Sequence, residues 1–172
     1  MSSVEEAIRT KRAVRRFTDQ PIPEDAIHAI LNAGRRAQSS KNTQPWSFVA
    51  VRDKGTLKQL AETGDFAGHL AGAALGVALV APDSADRREW ILFDLGQAAA
   101  YMQLAAWELG IGSCIATIYQ PERAGAILGL PDGMRCDLAL SFGYPATDQT
   151  RPGVVRPGGR RPFEEVVHWE RW

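Results

Sequence analysis

The alternation of apolar and polar positions divides the chain into helices and strands that follow one another closely. Val4, Ala7 and Ile8 give a first helix one apolar face through about Thr10, opened by Ser3 and Glu6 as a capping box. Pro21-Ile22-Pro23 then breaks the chain. Pro23, followed by Glu24 and Asp25, starts a second helix that Ile27, Ile30 and Leu31 carry to about Ala37. The polar loop 38–45 has no apolar period, and Trp46–Val51 reads as a strand. A short helix is predicted over about Gly55–Glu62. The stretch 63–74, with three glycines, fits neither period. Leu75–Ala81 reads as a buried strand, Ser113–Ile118 and Cys136–Phe142 as two more, and Pro121–Leu128 as a short helix.

The longest predicted helix runs from about Arg87 to Leu109 and is stopped by Gly110. Its apolar positions Ile91, Leu95, Ala98, Met102, Ala105 and Leu109 alternate four and three apart, a narrow seam suited to packing along another helix. Such a helix spans about 35 Å, so in a domain of this size it is the central core helix, part of a subunit interface, or both. Strands separated by helices make an α+β or mixed three-layer domain, a sheet covered by helices. The tail from Pro145 to Pro162 is rich in Pro, Gly and Arg and should run extended over a surface. Phe163–Trp172 ends in two tryptophans and is expected to dock on protein, a neighbouring subunit included.

Totals narrow the function classes. A chain of 172 residues makes one domain with a real core, spanning 1–172. Twenty basic and 20 acidic residues cancel, so no net charge draws it to nucleic acid or to a membrane surface. No apolar run is long enough for a transmembrane helix. The acidic, polar amino terminus is unlike a secretory signal, and the cytoplasm is the expected compartment. Cys114 and Cys136 are too far apart to suggest a zinc site or a disulfide framework.

Against this neutral background, Lys11, Arg12, Arg15 and Arg16 place four cations within six residues, enough to hold an anion such as a phosphate. Alone, the cluster reads first as solvated surface charge. Two other polar islands stand beside it: Ser39-Ser40-Lys41-Asn42-Thr43-Gln44-Pro45 ending at Trp46, and the late arginines Arg156, Arg160 and Arg161. The middle island offers hydroxyls and amides to a heterocycle or sugar. Familiar catalytic patterns are missing. Gly110-Ile111-Gly112 follows a helix and precedes a strand, the reverse of a dinucleotide fingerprint. His28, His69 and His168 are too dispersed for a local metal motif, there is no Gly-x-Ser-x-Gly elbow, and Cys114 sits in an apolar run as a core residue would. A chain without an acid–base set borrows its chemistry from a cofactor.

Taken in order, Lys11–Phe17, Ser39–Trp46, Asp94-Leu95-Gly96-Gln97-Ala98 leading to Leu109–Cys114, Gly143-Tyr144-Pro145, Arg160-Arg161-Pro162 and Val167-His168-Trp169 resemble the FMN-dependent nitroreductase family over nearly the whole chain. The resemblance implies a three-layer α/β/α fold with a mostly antiparallel sheet. It also implies a homodimer formed through the long helix, with residues from about 146 docking on the neighbour and two FMN sites at the interface. In that family the early basic motif and a late arginine hold the phosphate. This carries over to Lys11, Arg12, the backbone at Ala13, and Arg160, with Arg161 beside it. Arg15 matches the cation near the flavin's pyrimidine edge. Ser39, Ser40 and Asn42, with Gln44 in the same loop, match the segment given by the other subunit. Ile115-Ala116-Thr117 matches the strand whose backbone N–H groups approach N5, so no catalytic side chain is implied beyond the backbone near Ala116 and Thr117, and no metal.

The sequence departs from the family pattern at Ala13, where a small hydroxyl residue is common, at Cys114–Thr117, which lacks glycines, and at Gly158-Gly159, where a lysine is common. It also has no long excursion after the long helix. The activity implied is hydride transfer from NADH or NADPH through flavin N5 to a small flat acceptor, a nitroaromatic or quinone, in ping-pong order. The alternatives are an FMN-sequestering protein with little turnover and a same-fold enzyme with another flavin reaction.

Overall fold

The computed structural model describes residues 4–146 and 160–172. Ser3 of the capping box, Arg156, Gly158 and Gly159 lie outside that range. The helices are α1 (Val4–Thr10), α2 (Glu24–Arg35), α3 (Lys54–Ala61), α4 (Arg88–Glu108) and α5 (Pro121–Leu128). The strands are β1 (Ser47–Val51), β2 (Leu75–Pro82), β3 (Gly112–Thr117) and β4 (Met134–Gly143). Each predicted element is present within a few residues of its expected bounds. The ambiguous stretch becomes turns and a 3-10 helix, Gly68–Gly72.

The four strands form one antiparallel sheet in the order β1-β2-β4-β3. β2 is central and buried along its length from Leu75 to Ala81, as its unbroken apolar run requires. Its residues alternate between two cores. Leu75, Val77, Leu79 and Ala81 join α2 and α4 on one face, through Ile30, Leu95 and Met102. Ala78 and Val80 join α3 and α5 on the other, through Leu57, Leu60 and Ala124. Helices on both faces of a sheet make the three-layer α/β/α architecture. α2 crosses α4 closely, since a Cβ at Gly34 would collide with Met102.

The seam expected along α4 holds only in part. Ile91, Leu95, Ala98 and Met102 are buried in the core, but Ala106 takes the next core position while Ala105 is half-buried and Leu109 exposed. Leu109 falls past the last helical residue, at the C-cap, where the chain turns away toward Gly110. α4 is apolar on a second face as well: Trp90, Phe93 and Tyr101 are exposed on it. Gly110 ends the helix in the left-handed region, with φ 73°. The carboxy-terminal residues lie exposed on their own chain, Trp172 fully and Trp169 at 76%.

Candidate functional site

The basic segment is shaped by two apolar residues inside it. After α1, Ala13 bridges Ser113 in parallel and Phe17 bridges Pro145 antiparallel, two isolated bridges that pin the segment to β3 at one end and to the residues after β4 at the other. Val14 N–H donates to Ser113 O at 2.9 Å, and Thr18 N–H to Tyr144 O at 2.8 Å. Val14 is fully buried over Gly112, and Phe17 lies against Gly143; a Cβ at either glycine would meet these side chains at under 3 Å. With Val14 inward, Ala13 and Arg15 face outward by strand alternation. Trp107 Nε1 donates to Thr10 Oγ1 at 3.0 Å, which fixes the end of α1 to the last turns of α4.

Lys11 is half-buried at this edge. Burial pulls its ammonium below the ordinary lysine value, the Cys114 thiol opposes that, and the Arg160 guanidinium adds to it. No carboxylate is among the groups acting on it. The charge of the late arginine thus reaches Lys11, and a half-buried lysine that feels a second cation is stabilised by an anion. Arg12 does something else: its Nη1 donates to Arg9 O at 2.8 Å and Lys11 O at 2.9 Å, closing the carbonyl end of α1. Arg161 is exposed.

Arg15 lines a cavity of about 530 Å3 with Asp65, Phe66, Gly68, His69 and Ile115. Ile115 is an outward residue of β3, 43% exposed between buried Cys114 and Ala116. Burial pushes the Cys114 thiol up, against Arg15 and then Lys11, so it remains a protonated core residue. The segment carrying Phe66 is locked to the end of β3. Tyr119 and Gln120 N–H both donate to Thr63 O, at 2.8 and 3.0 Å, and a Cβ at Gly64 would strike the Thr117 carbonyl.

The third island stands elsewhere. Ser40–Asn42 is one 3-10 turn, and Lys41, Asn42 and Gln44 have positive φ of 52°, 56° and 47° without a glycine among them. Strain of this kind persists where surrounding bonds impose it, and it concentrates at binding sites. Here the Ser40 N–H donates to both oxygens of the buried Asp94, at 3.1 and 3.2 Å, and Gln44 N–H donates to Ser39 Oγ at 2.9 Å. Asp94 is in the first third of α4, whereas the basic segment meets the helix at Trp107. Thirteen residues of helix separate them by about 20 Å. One chain thus brings Lys11, Arg15, Ile115 and Arg160 to one edge and leaves Ser39, Ser40, Asn42 and Gln44 at the other end of α4.

Asp94, His69 and Phe66 were not singled out as site residues from sequence. Asp94 had a signal, a lone carboxylate in the apolar run Trp90–Leu95. Among the described residues no group of His, Cys, Asp and Glu is placed to hold a metal, and no helix is long and apolar enough to cross a membrane.

Comparison with solved structures gives the fold. The fold superimposes with a TM-score of 0.84 on an NADPH:FMN oxidoreductase from Vibrio harveyi complexed with NAD+, covering 98% of this chain and 77% of that one at 24% identity. Sequence relatives include a Thermus thermophilus NADH dehydrogenase, 30% identical over 194 residues and covering 92% of each chain. An NADPH-flavin oxidoreductase of V. harveyi is 30% identical over 183 residues, 98% of this chain and 74% of its own. The model of the nitroreductase family matches residues 8–73 and 66–144, and the chain belongs to that family.

Proposed function

We propose that the protein is a homodimeric FMN enzyme that passes electrons from NADH or NADPH to flat acceptors such as nitroaromatics and quinones. One relative is named an NADH dehydrogenase and another an NADPH-flavin oxidoreductase, which supports nicotinamide and flavin as the partners here. The residues present fit the cofactor. Lys11 and Arg160 supply the paired cations for a phosphate, with the Ala13 backbone beside them. Arg15 stands where the electron-accepting edge of a flat ring would gain charge, in a cavity of about 530 Å3 that exceeds the ring's needs. The backbone of Ile115, Ala116 and Thr117 forms the wall. Arg12, turned back on α1, acts by fixing the helix end, and Arg161 borders the phosphate side. When bound, FMN supplies the two-electron chemistry, and the protein supplies position and field.

The observation that carries this reading is the division of the islands between the two ends of α4. A twofold axis across the second apolar face of α4, at Trp90, Phe93 and Tyr101, would set the two helices antiparallel. Each Ser39–Gln44 loop would then reach the basic edge of the partner. Covering that face also gives the exposed tail aromatics Phe163, Val166, Trp169 and Trp172 a neighbour to rest on. A flat acceptor would follow the nicotinamide onto the same open face, which is ping-pong order.

The test is anaerobic addition of NADH, then NADPH, to the FMN-loaded protein. Loss of the visible flavin band, and its return on adding a quinone, supports the enzyme. A flavin-loaded protein that neither donor bleaches is a carrier of FMN.

A further inference from the structure

His69 is 8% exposed, on the 3-10 turn Gly68–Gly72, and its ring meets the Ser141 hydroxyl and the Ile115 backbone carbonyl. Its Nδ1 lies 2.7 Å from Ser141 Oγ on β4, and Ser141 Oγ donates to the Cys114 carbonyl at 3.4 Å. We assign the single Ser141 hydroxyl proton to the Cys114 carbonyl, an assignment that fixes the imidazole tautomer. The Ser141 oxygen therefore accepts, Nδ1 carries the hydrogen, and Nε2 keeps a bare lone pair. That Nε2 is buried and has no hydrogen-bond partner. A native structure rarely leaves such an atom without a use.

The ring shares its cavity with Arg15 from the basic segment, Asp65 from the preceding turn and Ile115 from β3. The Cys114 thiol, kept protonated by burial, belongs to the same strand. From α3, Lys54 Nζ is occupied with Ala73 O, just past the end of His69's own turn. Burial, and then Arg15, hold the imidazole neutral, while the Ile115 carbonyl favours its charged form. Negative charge entering the cavity would offset Arg15 and favour the imidazolium.

We propose that His69 takes one proton onto Nε2 when the site is reduced and yields it when the electrons leave. The inference rests on the reading that the flavin ring lies over Arg15 and Ile115. The balance is complete. The reduced nicotinamide gives up two electrons and one proton together as hydride, the ring gains one negative charge, and His69 takes one proton from water. A quinone then removes the two electrons with two protons, one arriving with the hydride and one from His69. No side chain forms a covalent bond.

The experiment counts protons. FMN-loaded wild type and His69→Gln, which keeps an amide donor toward Ser141, are reduced anaerobically with NADH, or with NADPH if NADH is inert. The reaction is followed with an indicator dye in weak buffer. Near neutral pH the wild type should take up more protons per flavin than the variant, by a difference approaching one. Equal counts in two fully loaded, fully bleached proteins overturn the proposal. If Gln at 69 prevents loading, Ser141→Ala decides: stripping the Nδ1 partner should move the pH at which the extra proton is taken up, and an unmoved profile overturns it. A wild type that binds no FMN overturns the functional reading itself, and this inference with it.

Discussion

Val14 occupies the space that a side chain at position 112 would need: its Cβ and two methyls lie 2.7, 2.9 and 2.8 Å from where the Cβ of Gly112 would stand. A glycine at the start of β3 thus decides where a cationic segment far earlier in the chain is held. Gly112→Ala should expel Val14 and cost about 1–3 kcal/mol, the usual range for overpacking. Because Val14 sets the register of Lys11 and Arg15, FMN retention should fall too. Urea unfolding and flavin fluorescence measure the two effects; a variant with unchanged stability would mean that the segment moves freely on the edge.

Lys11→Met should separate affinity from stability. A charge-assisted bond to a phosphate contributes about 1.5–3 kcal/mol, so the FMN dissociation constant should rise by roughly ten- to a hundredfold. The flavin-free protein should be no less stable than wild type, because the variant removes a half-buried ammonium from beside Arg160. Equilibrium dialysis and thermal unfolding of the apoprotein check the pair, and a less stable apoprotein with normal affinity would make Lys11 structural.

Asp94→Ala should release the Ser39–Gln44 loop. Once the Ser40 N–H loses its carboxylate, the three left-handed residues keep only the loop's own short-range bonds, such as Gln44 N–H to Ser39 Oγ. Proteolysis within the loop should quicken and FMN affinity should drop, while Asp94→Asn, which keeps one acceptor oxygen, should fall between. Equal protease resistance in all three proteins would show that the loop holds itself.

Buried His69 gives the fold a pH dependence whose sign follows from linkage. Its pKa in the folded chain is below the ordinary value, first through burial and then through Arg15. As pH falls through the ordinary histidine range the unfolded chain binds a proton that the folded chain refuses, so stability drops from about pH 6.5 downward until the folded pKa is passed. His69→Gln should flatten that part of the apoprotein's stability curve. A variant that loses stability on acidification as steeply as wild type would remove His69 from this role.

The two thiols should be inert in the native state. Burial raises Cys114 and pushes Cys136 up to about 12. Ellman's reagent at pH 8 should label neither until denaturant is added, and rapid labelling of Cys114 would mean that the β3 edge opens.

Periodicity carried most of the fold, because strands and helices here bury one face each and the spacing of Ile27, Ile30 and Leu31, or the run Leu75–Ala81, records which. It misjudged α4 at Ala105 and Leu109, where a helix apolar on two faces offers no single stripe to follow. The turn before β2 was illegible for a different reason. Its shape follows from Gly64 lying against the Thr117 carbonyl and from His69 meeting Ser141, 72 positions on, neither of which leaves a local trace. The cations at Lys11–Arg16 were visible as a cluster. That Arg12 turns back on α1 while the Arg160 charge reaches Lys11 is not marked in the cluster's composition. The strain at Lys41 and Gln44 had no signal either, since a sequence that needs left-handed backbone usually supplies glycine.

The central claim is that one site is built by two chains, and subunit mixing tests it most directly. Lys11→Met spoils the basic edge, and Asn42→Gly, which suits the left-handed backbone there, strips a side chain from the loop. Each homodimer should hold FMN poorly. Unfolded and refolded together in equal amounts, half the dimers should be mixed and each should regain one intact site, restoring tight binding to about one quarter of all sites. No recovery in a mixture shown to contain mixed dimers would place both islands in the same chain's site and contradict the account.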